Sequence, residues 1–326
     1  MDHVVIVENL VKKYKDVEAV RGVSFSVRRG EIFALLGPNG AGKTTTIHII
    51  ATILRPTSGR VEVAGHDVVR EPDEVRKRIG VVFQEPSLDD RLTAYDNLYV
   101  HGRLYGLSGE ELRQRIMKLL EFVELKEFAF KRVRQFSGGM KRRLEIARSL
   151  LHVPELLILD EPTIGLDPQS RARIWDYIRE LRKELGTTIL MTTHYMDEAE
   201  ELADRIAIMD HGKIVAMGTA DELKSMLGSD VVYMKVENEA PDLCASAGFN
   251  ALGKCHQLSG SVIEIVVGDA AKALPELLER ARASGIKVVE VSYRRPSLNE
   301  VFLHLTGREL RDSLEERATP RPRRMR

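Results

Sequence analysis

The chain has 326 residues, of which 43% are hydrophobic and 30% charged, a composition typical of a globular protein with a sizeable core. Basic and acidic residues balance at 49 each, so net charge gives no argument for nucleic acid or an anionic membrane surface as partner. No stretch approaches the roughly 20 apolar residues that cross a bilayer, and MDHVVIVENL lacks the apolar run of a secretory signal. We therefore expect a cytosolic chain that reaches a membrane only through a partner.

Strands alternate with helices along the first two thirds of the chain, which predicts a mostly parallel sheet covered on both faces. Strands are predicted at 3–8, 23–27, 31–36, 60–69, 78–83, 156–159, 187–192 and 205–209. Helices are predicted at 43–54, 140–152, 170–185 and 196–203. Between 92 and 125 the apolar spacing becomes helical, which indicates a block of helices inserted between two strands of the sheet.

The character of the chain changes after Gly218. Helices at 221–227 and 270–284 and strands at 231–236, 262–267 and 287–292 predict a compact α+β unit. Its Cys244, Cys255 and His256 fit no zinc template, so we expect no metal there. The end of the chain, 317–326, carries five arginines and two prolines, which predicts a solvated, disordered tail, with a partner or lipid contact as the alternative.

A glycine-rich turn between a predicted strand and a predicted helix fits the pattern G-x-x-x-x-G-K-[ST]. Its glycines allow backbone N–H groups to converge on phosphate oxygens at the start of a helix. Lys43 is placed to reach the outer phosphates, and the Thr44 hydroxyl to ligate Mg²⁺. The predicted nucleotide-binding run is Gly37, Pro38, Asn39, Gly40, Ala41, Gly42, Lys43, Thr44 and Thr45.

Two carboxylates follow the apolar run 156–159 at the carboxyl end of a buried strand, where α/β proteins bind ligands. Asp160 is predicted to hold Mg²⁺, and Glu161 to act as general base on the attacking water. An apolar run that ends in two acids is by itself also compatible with a strand whose end is solvated. Together with the phosphate loop, it predicts ATP hydrolysis.

The run from Gln135 to Arg143, QFSGGMKRR, resembles the LSGGQ signature sequence of ATP-binding cassette (ABC) proteins. It departs from that sequence at Phe136 and Met140. Ser137 can cap the following helix, while Gly138 and Gly139 leave its first N–H groups open to a γ-phosphate. A simple helix cap is the alternative interpretation of this segment.

Further residues resemble the remaining family elements in the expected order. Tyr14 is similar to the aromatic residue that stacks on adenine, although a core tyrosine is the alternative. Gln84 resembles the glutamine that contacts Mg²⁺ and water, and His194 the histidine that contacts the γ-phosphate. The run from Ile164 to Asp167 resembles the loop that contacts the partner subunit, so Asp167 is included among the nucleotide-binding residues.

The resemblance implies a P-loop ABC nucleotide-binding domain over 1–217. Its mostly parallel sheet has an N-terminal antiparallel β part and an inserted helical subdomain at about 86–150. A small accessory α+β domain is expected over 218–308, and the basic tail over 309–326. The run PSLNEVFLHLTGR, from Pro296 to Arg308, resembles the ending of daunorubicin-resistance type ATP-binding subunits. In it Leu298, Val301, Phe302 and Leu305 have the spacing of an amphipathic helix that packs on its own domain.

The family resemblance implies an ATPase subunit, with ATP and Mg²⁺, that powers export of a drug-like or lipid-like substrate through a separate membrane permease. It further implies a head-to-tail homodimer, a peripheral location at the cytoplasmic face of the membrane, and a permease seat around 85–105. The alternatives are an importer subunit and a soluble ABC ATPase acting on nucleic acid or ribosomes. A single cassette without heptads or net basic charge argues against nucleic acid.

Overall fold

The computed structural model describes residues 2–227, 230–237, 243–294 and 296–306. The chain forms two compact units, one reaching to Ala220 and the other beginning at Asp221. The predicted basic tail and the last two residues of the run ending at Arg308 lie outside the described residues.

The strands of the first unit are β1 His3–Tyr14, β2 Val17–Arg28, β3 Ile32–Leu36, β4 Ser58–Val63, β5 His66–Asp67, β6 Ile79–Val82, β7 Leu156–Asp160, β8 Thr188–Thr193, β9 Arg205–Asp210 and β10 Lys213–Gly218. Its helices are α1 Lys43–Ile50, α2 Pro72–Arg78, α3 Ala94–Leu104, α4 Gly109–Phe122, α5 Gly138–Ser149, α6 Pro168–Leu185 and α7 Met196–Leu202; α8 Ala220–Ser225 crosses the boundary between the units.

A six-stranded sheet of order β10-β9-β3-β8-β7-β6 forms the centre of the first unit. Its strands pair in parallel except for β10, which is antiparallel to β9. Every residue of β3, β7 and β8 is buried, as expected for central strands covered on both faces; β3 and the first four residues of β7 are continuous apolar runs. All the parallel strands therefore present their carboxyl ends at one edge of the sheet.

A second sheet, of order β2-β1-β4-β5, is antiparallel throughout. β1 and β2 are longer than predicted because the tight turn at Lys15, which has φ 51°, continues the pairing into a hairpin of two twelve-residue strands. Val5, Val7 and Val27 face a core shared with α1. This sheet is the N-terminal antiparallel part that the sequence predicts.

The inserted helices α3, α4 and α5 pack around an apolar cluster of their own, which includes Leu98, Ile116 and Leu144. Thr93 and Asp96 form a reciprocal capping box at the start of α3. The short 3₁₀ turns Lys126–Phe128 and Val133–Gln135 lead from α4 to the start of α5. The N-terminus of α5 is therefore positioned by the packing of α5 against the other inserted helices.

Three further elements of the first unit, α2, β10 and α1, differ from the sequence prediction. Helix α2 was not predicted because only Val75 in it is buried, which leaves no apolar periodicity. Strand β10 was not predicted, because it lies at the sheet edge and only its last residue, Gly218, is buried. Helix α1 ends at Ile50 instead of continuing to 54, and Thr52 just after it adopts a positive φ of 63°.

The second unit contains β11 Asp230–Val236, α9 Leu243–Ser246, β12 Lys254–Ser259, β13 Val262–Val267, α10 Ala270–Ala283, β14 Val288–Arg294 and α11 Leu298–Thr306. Its antiparallel sheet has the order β12-β13-β11-β14. Val232, Ile265 and Leu277 lie in its apolar core, so this unit has an α+β fold with a core of its own. Strand β12 was not predicted because its sequence, KCHQLS, is mostly polar and only partly buried.

A disulfide joins Cys244 on α9 to Cys255 on β12. This pairing was not predicted from the sequence, where the cysteines were considered only as metal ligands. No cluster of three or more His, Cys, Asp or Glu side chains that could hold a metal occurs in the part of the chain that the structure describes.

Helix α11 buries Leu298, Val301 and Phe302 completely, while Leu305 remains 36% exposed. The amphipathic face predicted from the spacing is therefore shorter by one residue at its C-terminal end. Ser297 and Glu300 cap the helix reciprocally, since each accepts a hydrogen bond from the backbone N–H of the other.

Candidate functional site

The candidate site lies where three central strands end at the same edge of the sheet. Leu36, the last residue of β3, pairs with Thr193 of β8, and Asp160, the last residue of β7, pairs with Thr192. The segments that follow β3, β7 and β8 are therefore neighbours in space although they are far apart in the sequence. This is the edge at which parallel α/β sheets bind ligands.

The loop between β3 and α1 is held tightly against its surroundings. A Cβ on Gly37 would lie 2.2 Å from the Met209 carbonyl oxygen, and one on Gly42 would lie 2.5 Å from that of Ala19. Gly42 also has φ 101°, which glycine adopts without strain. These two glycines are required by close approach of the backbone, and they place the N-terminus of α1 beneath the loop.

Lys43 is the first residue of α1, and its side chain is only 4% exposed. Its ammonium donates to the carbonyl oxygens of Gly37 (2.7 Å) and Pro38 (3.1 Å). It also lies 3.3 Å from Glu161 Oε1. Burial lowers the pKa of Lys43, against the opposing influence of the Glu161 charge.

Glu161 adopts a positive φ of 47°, which is uncommon for a residue other than glycine. Its backbone N–H is held by Thr192, whose Oγ1 is 3.0 Å away. Its second carboxylate oxygen lies 3.1 Å from His194 Nδ1. Burial by itself raises the pKa of Glu161, but the contacts with His194 and Lys43 outweigh it and hold the pKa below its ordinary value. The carboxylate is therefore ionised at neutral pH.

Thr44 and Asp160 place two oxygen donors side by side. Thr44 Oγ1 lies 3.3 Å from Asp160 Oδ1, which also accepts a hydrogen bond of 2.5 Å from Thr192. A hydroxyl and a single carboxylate form the donor set that suits Mg²⁺, because this ion keeps several waters and needs few protein ligands. These residues therefore fit the metal that the sequence predicts.

A cavity of about 420 Å³, here called the nucleotide cavity, opens over this edge. Its lining includes nine of the predicted site residues: Pro38, Asn39, Gly40, Gly42, Lys43, Thr44, Thr45, Gln84 and Glu161. Gly37 and Ala41 belong to the same loop but do not line the cavity. Asp160 and His194 adjoin it through their contacts with Thr44 and Glu161.

Tyr14 does not line the nucleotide cavity. It ends β1, is 42% exposed, and pairs with Val17, which does line the cavity. The Lys12 ammonium lies 5.1 Å from the centre of its ring. Tyr14 is therefore paired with a lining residue without lining the cavity itself, and its adenine role stays a prediction.

Six residues that line the nucleotide cavity were not predicted from the sequence. These residues are Val17, Glu18, Ala19, Arg21, His211 and Gly212. The backbone N–H of Arg21 donates to the carbonyl of Gly212 at 2.7 Å, which joins the start of β2 to the turn between β9 and β10. Since these residues form no motif, only the proximity of Val17 to Tyr14 in the hairpin could have indicated them.

Ser137 and Gly139 line a separate cavity of about 200 Å³, here called the signature cavity. Ser137 caps α5, because its Oγ accepts from the Met140 N–H at 3.3 Å. A Cβ on Gly139 would lie 2.8 Å from Ser170 Oγ. No residue of the nucleotide cavity lines this one, so the structure does not bring the two predicted halves of the site together within one chain.

Gly138 and Asp167 lie beside the signature cavity without lining it. Asp167 caps α6, where it accepts from the backbone N–H of Ser170 at 2.9 Å and from its hydroxyl at 2.6 Å. These hydrogen bonds lower the pKa of Asp167. Its carboxylate is thus engaged in the cap, and a direct nucleotide contact stays a prediction.

Two family models match the chain. The ABC transporter family matches residues 20–164, and the C-terminal domain of DrrA1-3-like ATP-binding proteins matches residues 218–306.

Named relatives align with almost the whole chain. The daunorubicin resistance ATP-binding protein DrrA3 of Streptomyces coeruleorubidus is 45% identical over 95% of this chain and 98% of its own length. The linearmycin resistance ATP-binding protein LnrL of Bacillus subtilis is 41% identical over 94% of this chain and 99% of its own. The Nod factor export ATP-binding protein I of Ralstonia nicotianae is 41% identical over 94% of each.

Solved ABC structures resemble about two thirds of the chain. The cbiO1 protein of Clostridium perfringens, part of an ABC transporter complex, has a TM-score of 0.64 and 33% identity over 68% of this chain and 91% of its own. The ATP-binding cassette MJ0796, solved as a dimer bound to ADP and phosphate, has a TM-score of 0.61 and 31% identity over 66% and 98%. These likenesses confirm the predicted fold class.

Proposed function

The chain belongs to the family of ABC transporter ATP-binding proteins and hydrolyses ATP, and we propose that it powers export of a drug-like or lipid-like substrate through a separate membrane permease. The observation that carries the ATPase mechanism is the meeting of Lys43, Thr44 and Glu161 in the nucleotide cavity. The direction of transport is supported by the relatives named for drug resistance and Nod factor export, and by the DrrA-like C-terminal domain.

In the proposed mechanism Glu161 is the general base. Its ionised carboxylate accepts a proton from the attacking water, and His194 at 3.1 Å holds the carboxylate in place. Lys43 leaves its carbonyl partners at Gly37 and Pro38 and binds the outer phosphates. The positive end of α1 and the loop N–H groups stabilise the remaining phosphate charge.

Thr44 and Asp160 would hold Mg²⁺, with Gln84 contributing from the same cavity wall. When bound, Mg²⁺ neutralises phosphate charge that builds up in the transition state. Gln84 lies two residues after Val82, the last residue of β6, and β6 pairs with the strand that ends at Asp160, so both residues lie at the same edge of the sheet. We assign these three residues as the metal set.

We further propose a head-to-tail homodimer in which each signature cavity completes the partner's nucleotide cavity. Ser137, Gly138 and Gly139 would then contact the γ-phosphate held by the partner, and Asp167 would lie at the subunit interface. The separation of the two cavities within one chain supports this arrangement. Hydrolysis removes the γ-phosphate contacts and allows the dimer to reopen.

The permease would dock on the inserted helices. In the part of the chain that the structure describes, no helix is long and apolar enough to cross a membrane. Helix α3 exposes Tyr99 (38%), Val100 (49%) and Leu104 (79%), and such exposed apolar side chains mark interaction surfaces. We place the chain at the cytoplasmic face of the membrane, held there by the permease.

The test is the variant Glu161→Gln, which keeps the shape of the base but cannot accept the proton. We expect ATP binding to be retained and turnover to fall by about 10² to 10⁴-fold. The variant should accumulate as an ATP-bound dimer in size-exclusion chromatography. Glu155→Gln is the matched control, because Glu155 precedes the opposite end of β7 and pairs with exposed Arg29. Wild-type turnover in Glu161→Gln would overturn the mechanism.

A further inference from the structure

Arg142 lies on α5, five residues after Ser137, and is 6% exposed. Its guanidinium donates to the backbone carbonyls on either side of the proposed base. Nη2 donates to Asp160 at 3.0 Å and to Glu161 at 2.8 Å, and Nε donates to Pro162 at 2.6 Å. One side chain of the signature helix therefore binds three consecutive carbonyls around Glu161.

The same guanidinium also contacts the segment that carries Gln84. Its Nη1 donates to the carbonyl of Phe83 and lies 3.4 Å from Glu145 Oε2. Glu145 is fully buried and accepts from the backbone N–H of Ser87 at 2.8 Å. Arg142 and Glu145 thus connect α5 to the segment 83–87 as well as to the end of β7.

This arrangement depends on the geometry of arginine. A guanidinium has five N–H donors in a rigid fork, whereas a lysine ammonium is a single point of charge with three donors. A buried charge is costly unless it is paired and hydrogen-bonded, and Glu145 and the carbonyls meet both needs here. Lysine at this position would keep the charge opposite Glu145 but lose most of the carbonyl contacts.

Glu161 needs such support because its backbone adopts φ 47°. Thr192 holds its N–H from β8, and Arg142 holds its carbonyl from α5. The carboxylate also bonds to His194 and Lys43, but Lys43 is required by the phosphates once ATP binds. Arg142 is then a main-chain anchor that does not depend on the state of the nucleotide.

We propose that Arg142 is a positioning residue for ATP hydrolysis, which fixes the main chain of Glu161 to the helix that begins at the signature residues. The proposal rests on the proposed function, since it assumes that Glu161 is the base. In this proposal Arg142 acts through Glu161 and makes no contact with the phosphates. Loss of Arg142 should therefore reduce the chemical step while leaving nucleotide binding in place.

The first experiment compares Arg142→Lys and Arg142→Gln with the wild type in steady-state ATPase assays and in titrations with a fluorescent ATP analogue. Misplacement of a catalytic group by about 1 Å can cost about 10²-fold, so we expect kcat to fall by about 10- to 100-fold in both variants. The dissociation constant for the nucleotide should change by less than about threefold. Full kcat in Arg142→Lys would overturn the proposal, because charge balance with Glu145 would then be the only role.

Arg115→Lys is the matched control. Arg115 lies on α4, donates to the backbone carbonyl of Leu151 at 2.9 Å, and pairs with Glu111, so it is also a partly buried arginine bound to main chain. Neither of these two partners lines the nucleotide cavity. We expect its kcat to match the wild type, and an equal loss in Arg115→Lys would attribute the effect to general packing.

A double-mutant cycle separates a positioning role from a merely structural one. In the Glu161→Gln background the base is already absent, so adding Arg142→Lys should change the residual rate by no more than about twofold. The same factor in both backgrounds would overturn the proposal. If Arg142 variants do not fold, Glu145→Gln tests the same anchor, because it weakens the partner of Arg142 while keeping an acceptor for Ser87. Absence of ATPase activity in the wild type would instead contradict the proposed function itself.

Discussion

The ammonium of Lys43 lies 3.3 Å from Glu161 Oε1, and the two side chains are 4% and 5% exposed. In this conformation the proposed base and the proposed phosphate ligand bind each other. An incoming phosphate must therefore take Lys43 away from Glu161, which leaves the carboxylate with His194 as its side-chain partner. Nucleotide binding and preparation of the base are thus linked through one ion pair.

We predict that Lys43→Ala abolishes the stabilisation of the protein by MgATP. The variant lacks the charge that holds the outer phosphates, and it leaves the buried Glu161 carboxylate without its cation. Ligand at 100 times its dissociation constant stabilises a protein by about 2.7 kcal/mol, which thermal melts with and without MgATP resolve readily. Lys77→Ala, at an exposed lysine paired with Glu74, is the control that should keep the full shift. A normal shift in Lys43→Ala would contradict the assignment of Lys43.

The strands that carry the site were predictable because the residues of each strand, and not distant parts of the chain, indicate its structure. The segments 32–36 and 156–159 are apolar runs that are buried throughout, and the loop after the first is a local motif in which Gly37 and Gly42 are required by close backbone approach. Local sequence patterns alone therefore predicted Lys43, Thr44 and Glu161 as site residues, and the structure brings them together in one cavity. The spacing between these segments carried no geometric information, and the pairings of Leu36 with Thr193 and of Asp160 with Thr192 bring them to one edge.

The buried charges were not predictable from the sequence. Arg142 and Glu145 lie among other charged residues of α5, a pattern that predicts solvent exposure, yet both are buried. Their partners, the carbonyls near Glu161 and the N–H of Ser87, lie far away in the sequence. Burial of a charge depends on such distant partners, and local periodicity does not report them.

Glu198 provides a prediction about pH. It is fully buried on α7, where it accepts hydrogen bonds from Thr163 (2.7 Å) and Trp175 (3.0 Å), and burial raises its pKa above the ordinary 4.5. Between 4.5 and the raised value, the folded state keeps a proton that the unfolded state releases. The contribution of Glu198 to stability is therefore present at low pH and falls as the pH rises through that window.

We predict that Glu198→Gln removes this part of the pH dependence. The amide keeps an oxygen acceptor for Thr163 and Trp175 but carries no ionisable proton. The stability of the variant relative to the wild type should rise as the pH increases above 4.5, measured by urea denaturation followed by circular dichroism. Glu201→Gln, at an exposed carboxylate on the same helix, is the control. Parallel stability curves for Glu198→Gln and the wild type would contradict the prediction.

Reduction of the Cys244–Cys255 disulfide should weaken the second unit. The bond closes a loop with a sequence separation of 11 residues, for which chain entropy predicts a stabilisation of about 2–3 kcal/mol. We expect a reductant to speed amide exchange in β12 and β13 while leaving the first unit unchanged. The double variant Cys244→Ala/Cys255→Ala should exchange equally fast with and without reductant. Equal exchange in oxidised and reduced wild type would contradict this expectation.

The last prediction is that a fragment of residues 1–220 binds MgATP by itself. Every residue that lines the nucleotide cavity lies between Val17 and Gly212, and the central sheet ends with β10 at Gly218. A fragment that stopped before β10 would expose the edge of β9, whereas one that ends at Ala220 keeps the whole first unit.

Isothermal titration of the fragment with MgATP is the measurement, with the full chain measured in parallel. Trp175, the single tryptophan of the chain, lies on α6 in the first unit, so its fluorescence reports whether the fragment is folded. We expect a dissociation constant close to that of the full chain, and Lys43→Ala in the fragment should abolish the binding heat. Dimerisation and turnover can fall without contradicting the prediction, because they involve surfaces beyond the nucleotide cavity. A folded fragment that binds no MgATP, while the full chain does, would mean that the second unit helps to build the site.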